Sequence, residues 1–161
     1  MLLAIRFLVL IIAFSLAIDS TGQSSCGSMN ESSLFKISVP DIHEYSTLPY
    51  SKSVLLQAKI PYKYSIVLSP GKDYIIAVCC DSAYKPVKFK VIDLQNKTIF
   101  YDNSVDDFKQ FISFTVEGSP MSIIIEVTVL ATYKQVKPGE ELRSCMGFKV
   151  LCRTIGKKGF Y

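Results

Sequence analysis

The chain has no tryptophan and a single histidine, His43. That scarcity removes most histidine-based chemistry. His43 lies between Pro40 and Pro49, next to Glu44 and away from any strand end, and a general base needs a partner that positions it. It reads as a surface residue, and a Cys–His nucleophile pair would depend on the same side chain. There is no G-x-S-x-G, no H-E-x-x-H and no Walker-type Gly-Lys loop. Matches to S-x-x-K at Ser33–Lys36, Ser69–Lys72 and Ser82–Lys85 stand without the companion S-D-N and K-T-G motifs, which leaves them as coincidences of composition. No C-x-x-C pair exists, so neither a zinc knuckle nor a thioredoxin-like redox site is written here. No Lys/Arg run exceeds Lys157-Lys158, so the formal charge of +4 is a solvated excess and not a nucleic-acid patch.

No uncharged apolar run reaches the roughly 20 residues that span a bilayer. Phe7 to Ala17, broken only by Ser15, follows Arg6 and precedes the polar stretch from Asp19 to Ser25. A basic start, a short apolar segment and a small-residue exit is the layout of a secretory signal. Residues 1–22 are therefore expected to be a signal peptide, cleaved after Gly22, with cleavage after Ala17 as the other option. Cys26 follows Ser24-Ser25, which looks like the end of a bacterial lipobox. Gln23, however, stands three before the cysteine where Leu, Val or Ile is wanted. An ordinary thiol or disulfide half is preferred to a lipid anchor at Cys26. Losing residues 1–22 removes one basic and one acidic residue, so the charge remains +4. What remains suffices for one core.

Five cysteines follow the signal: Cys26, Cys79, Cys80, Cys145 and Cys152. An oxidising compartment favours disulfides, and an odd count leaves at least one thiol unpaired. Vicinal Cys79 and Cys80 in a strand face opposite ways. One of them could bridge to Cys145 or Cys152, and the sequence does not choose.

Residues 23–50, rich in Ser with Pro40 and Pro49 as breakers, read as a polar extended leader that adds a strand near Leu34–Val39. Beyond Ser53 the pattern is that of strands. Val54–Ala58, Tyr62–Leu68 and Asp73–Cys80 are strand-like, with Pro61 at a bend and Ser69-Pro70-Gly71-Lys72 as a turn. Val87, Phe89 and Val91 alternate with Lys88 and Lys90, the signature of a strand with one wet face. Gln95-Asn96-Lys97 turns the chain into Thr98–Tyr101. Ile112, Phe114 and Val116 share a face. Met121–Tyr133 is long enough for a helix, but its β-branched Ile123, Ile125, Val127 and Val129 favour a strand. Met146–Arg153 closes the domain.

About eight short strands without an amphipathic helix predict an all-β fold, an antiparallel two-sheet β-sandwich of Greek-key or jelly-roll type over residues 51–155. Residues 156–161 form a basic tail.

The order of segments resembles the bacterial pre-peptidase C-terminal domain, found also in small exported proteins of Gram-negative bacteria. The likeness runs over roughly residues 60–152. It is carried by Tyr64–Ile76 with its turn glycine and Tyr74, by Val87–Asp93 through Asp102-Asn103, by Phe111–Val129, and by Gly147–Val150. Gly118-Ser119-Pro120-Met121 departs from the family's usual Gly-x-Tyr. The resemblance implies a sandwich with a binding, targeting or accessory role, and it offers no catalytic residue to transfer.

Two ligand readings remain. Asp102, Asn103, Asp106 and Asp107 cluster in one loop, and clustered carboxylate and amide oxygens suit calcium. Tyr84 and Tyr101, near loop ends, are candidate stacking faces for a sugar. The expected function is an exported, non-catalytic β-sandwich that engages a protein or surface partner. It would be periplasmic or secreted, or lipid-anchored if Cys26 were modified. The alternative is a small carbohydrate-binding domain, assisted by calcium.

Overall fold

The computed structural model describes residues 26–27, 29–31, 35–131 and 141–155. The segments expected to be a signal peptide (1–22) and a basic tail (156–161), and most of the loop before Ser144, lie outside the described residues. Nine strands form: β1 (Ser46–Thr47), β2 (Lys52–Gln57), β3 (Tyr62–Leu68), β4 (Lys72–Cys80), β5 (Val87–Asp93), β6 (Ile99–Asp102), β7 (Phe111–Val116), β8 (Met121–Val129) and β9 (Arg143–Thr154). Short 3-10 turns are the only helical pieces among the described residues. The strands make two antiparallel sheets. One runs β1-β9-β4-β7 with β2 also on β9, and the other runs β3-β8-β5-β6. The expected two-sheet sandwich is the fold.

The side-chain period of two places the core. On β5, Val87, Phe89 and Val91 are buried while Lys88 and Lys90 are half-exposed. On β8, Ile123, Ile125, Val127 and Val129 point inward. Leu68, Phe89, Ile123, Ile125, Met146 and Phe148 are fully enclosed between the sheets, and each such side chain contributes about 1.5–3 kcal/mol before entropy is subtracted. The connections follow from turn chemistry. Gly71 adopts φ 73°, where a side chain would be strained. The Asp93 carboxylate accepts from the Gln95 and Asn96 amides at 2.7 and 2.9 Å, closing the β5–β6 turn.

The first sheet is buried on both faces. Tyr74, Ile76, Val78 and Cys80 of β4 belong to the central core, while Ile75, Ala77 and Cys79 point away from it and are still 0–1% exposed. The N-terminal segment lies over that outer face. The Met29 carbonyl is 3.8 Å from Cys79 Sγ, the Asn30 amide donates to Ser53 Oγ at 2.9 Å, and the Phe35 ring lies 5.3 Å from Lys149 Nζ. β1 continues the segment as a strand on β9. Of the strand expected near Leu34–Val39, the described part, Phe35–Val39, carries no ladder, because it crosses the sheet face rather than joining an edge.

The cysteine expectation is corrected in part. Cys145 is bonded to Cys26, with Cα atoms 5.3 Å apart, while Cys79, Cys80 and Cys152 are buried free thiols. Cys79 and Cys80 pair with Gly147 and Met146 across β9, five and six residues from Cys152, so at about 3.3 Å per residue neither can reach it. Cys80 also faces away from Cys145. The Cys26 sulfur, held in the disulfide, is not available to a lipid anchor.

Candidate functional site

The two sheets end side by side at β6 and β7. Each strand has a paired neighbour on one side only, β5 for β6 and β4 for β7. Unpaired sheet edges are usually protected by charge, proline, shortness or a bulge. β6 is four residues long, ends in Asp102 and carries a bulge. Val91 pairs with Tyr101 and Ile92 with Ile99, so Phe100 is the extra residue. β3 carries Lys63, ion-paired to Glu126 at 2.8 Å, and β2 carries Lys52. β7 reads Phe-Ile-Ser-Phe-Thr-Val: six residues, uncharged, without proline, in continuous register with β4. Among the described residues it is the one edge strand longer than two residues that has none of these devices.

A cavity opens on each side of β7. The outer one, about 300 Å³, lies between the sheet face and the N-terminal segment, with Ser113 and Thr115 of β7 on one wall and Val39, Pro40 and Tyr45 on the other. Its floor is a charged cluster. Asp73 accepts from Thr115 Oγ1 at 2.6 Å and from Arg153 Nε at 2.9 Å; Arg153 Nη1 donates to Glu44 at 2.7 Å and lies 4.0 Å from Asp41. The guanidinium also sits 4.9 Å from the Tyr45 ring. The Thr115 hydroxyl bond, joined by Arg153, outweighs burial and holds Asp73 below the usual carboxylate range. Asp73 and Arg153 line the cavity and balance each other, while Glu44 and Asp41 bind the same guanidinium beside it, so three carboxylates share one cation and the cluster as a whole is negative.

The inner cavity, about 250 Å³, is the mouth of the sandwich between β6 and β7. It is lined by Val91, Phe100, Ile112, Phe114, Thr115 and Met121 and is almost wholly apolar. The bulge leaves Phe100 on its rim, 49% exposed. Phe114 and Thr115 border both cavities, so the strand itself is the partition.

The residues picked out from the sequence lie elsewhere or serve the fold. Asn103 is fully buried. Its Oδ1 accepts from the Phe89 amide at 2.8 Å, and its Nδ2 donates to the Val87 and Lys109 carbonyls at 2.9 and 3.1 Å. Asp102 accepts from the Ser104 amide and hydroxyl and faces Lys88 and Lys90 at 3.8 and 3.5 Å. Burial alone would raise its pKa, but these partners lower it. Asp106 accepts from the Tyr101 hydroxyl at 2.9 Å. The four loop residues thus do not converge as calcium ligands, and no group of three His, Cys, Asp or Glu among the described residues could hold a metal. Tyr101 is packed at 5.3 Å against Phe89, and Tyr84 is partly buried against the core, so neither offers an open stacking face. His43 is exposed in the turn Ile42–Glu44, outside both cavities.

Arg153, Asp73 and Phe100 were not singled out from the sequence. The signal available was the uncharged run Phe111–Val116, which looks like any interior strand until its place at the edge is known.

The molecule is thus an all-β, two-sheet sandwich with its N-terminal segment bonded across one face. No protein-family model and no curated protein matches the chain. Among solved structures, it is similar to Aeromonas hydrophila PliG, a periplasmic lysozyme inhibitor of g-type lysozyme. That likeness has 13% identity, covers 66% of this chain and 86% of that one, and has a TM-score of 0.41.

Proposed function

We propose that the chain works outside the cytosol as a non-catalytic binding module whose partner is a protein. The observation that carries the reading is the unprotected edge of β7 with a cavity on each side. Neither cavity is lined by a histidine or a cysteine, and the polar groups of the outer one are bonded to each other in a fixed cluster. That arrangement suits recognition of a shape and a charge. The Cys26–Cys145 bond supports an exported setting, because such bonds persist where thiols are oxidised. An accessory role is also what the resemblance to pre-peptidase C-terminal domains implies.

The test uses the oxidised chain as bait in the exported fraction of its source cells, with chemical crosslinking and identification of the linked residues, alongside a glycan array. A crosslinked protein whose contacts fall on β6–β7 supports the reading. A glycan signal that persists when β7 is altered would overturn it.

A further inference from the structure

We infer that β7 binds its partner by strand addition, and that the partner segment is extended, apolar at alternate positions and basic at the end that lies beside Thr115. This rests on the binding-module reading and names its mode and the chemistry of its occupant. An added strand takes main-chain hydrogen bonds from an open edge, and its side chains then alternate between the two faces of the sheet. Beside β7 those two faces are unlike. Side chains pointing inward meet the apolar mouth formed by Phe100, Ile112 and Met121. Side chains pointing outward meet a floor of Thr115, Asp73 and Arg153, with the half-exposed carboxylates of Glu44 and Asp41 on the same guanidinium beside it, so the cluster carries a net negative charge.

Charge sets the direction along the strand. The acidic cluster lies at the Thr115 end. Lys109, 4.8 Å from the Phe111 ring, stands at the other end and disfavours a second basic residue there. An antiparallel segment therefore carries its Lys or Arg near its own N-terminus. The remaining exposed edge strands are blunted by shortness, by charge or by the β6 bulge, so β7 is where such a segment fits.

The probe is the acetylated peptide Lys-Val-Ser-Val-Ser-Val, titrated into the oxidised chain while amide signals and amide exchange are followed. The expected result is binding that slows exchange of β7 amides. It should be about tenfold weaker when Glu replaces Lys, and about tenfold weaker again when the three valines are grouped together. Ser113 and Phe100 are exposed, so Ser113→Lys and Phe100→Ser leave the core intact, as the melting temperature verifies. Each should weaken the peptide by at least about tenfold, one by placing a charge on the edge and the other by emptying the rim. Protection outside β7, equal binding of the acidic or grouped peptide, or no binding would overturn the inference. So would a wild-type dimer that Ser113→Lys dissociates, because the edge would then belong to a second copy. A protein crosslinked as above but retained by both variants would leave the binding-module reading standing and remove only the strand-addition mode.

Discussion

Gly147 of β9 and Met29 of the N-terminal segment approach so closely that a β-carbon on the glycine would lie 2.7 Å from the Met29 carbonyl oxygen. The same carbon would lie 2.9 Å from Cys79 Sγ. The Met29 contact involves backbone, which cannot swing aside, and the Cys79 sulfur is itself fully buried. Gly147→Ala is therefore expected to lift the segment from the sheet and cost about 1–3 kcal/mol in urea unfolding. Cys79 should become reactive toward a thiol reagent in the folded variant, while in the parent it stays protected.

The Cys26–Cys145 bond holds the same segment 119 positions from its partner in sequence. Peptide mapping without reductant should recover one linked pair containing these two cysteines, with Cys79, Cys80 and Cys152 free. Replacing both bonded cysteines by serine should lower stability by about 2–4 kcal/mol, as expected for the loss of a long cross-link. The sandwich should persist, with its circular dichroism still that of strands.

Asn103 is the loop residue on which the β6–β7 crossing depends. Asn103→Ala leaves the Phe89 amide and the Val87 carbonyl without their partner and should cost about 2 kcal/mol or more by denaturant titration. Asn103→Asp, with an oxygen in place of the donating nitrogen, should cost more at neutral pH than in mild acid, where a protonated carboxyl can donate.

Stability should fall at both pH extremes, for opposite reasons. Asp73 and Asp102 are held below the usual 3.8, so their contribution is full above that value and is lost below it, as pH falls through their depressed folded-state range. Burial pushes the Cys79 and Cys80 thiols up from 9 to about 11 and about 12. Their contribution is full below pH 9 and is lost as pH rises from there, because only the unfolded chain then ionises them. Urea midpoints measured from pH 3 to 11 should show this dome, and Cys80→Ala should flatten its alkaline side.

Much of the strand plan was legible in the sequence because β-structure records burial with period two. Tyr62–Leu68 falls where its pattern places it, and the Val87–Val91 alternation reports a wet and a dry face correctly. The covering of the outer face was not recognised. Residues 23–50 have no period, since a segment crossing a sheet meets it at irregular intervals. A trace of it does exist in β4: Tyr74 to Cys80 is apolar without a break, which is how a strand buried on both faces reads. The loop Asp102–Asp107 misled for a different reason. Composition shows its oxygens but not that Asn103 turns inward and Asp102 faces two lysines. Edge position, finally, is a property of topology, and no local pattern distinguishes β7 from an interior strand.

The last strand of the described fold is the hub of its sheet. β9 pairs with β1, β2 and β4, so β1 and β2 have no sheet to join, and the β4–β7 pair stays apart from them, until Arg143–Thr154 is present. A growing chain carrying every residue up to 140 still cannot close its first layer, and assembly dominated by such distant pairings is slow. A polypeptide whose first layer stays unfinished until its final stretch appears can be threaded through a narrow channel and close its core on the far side.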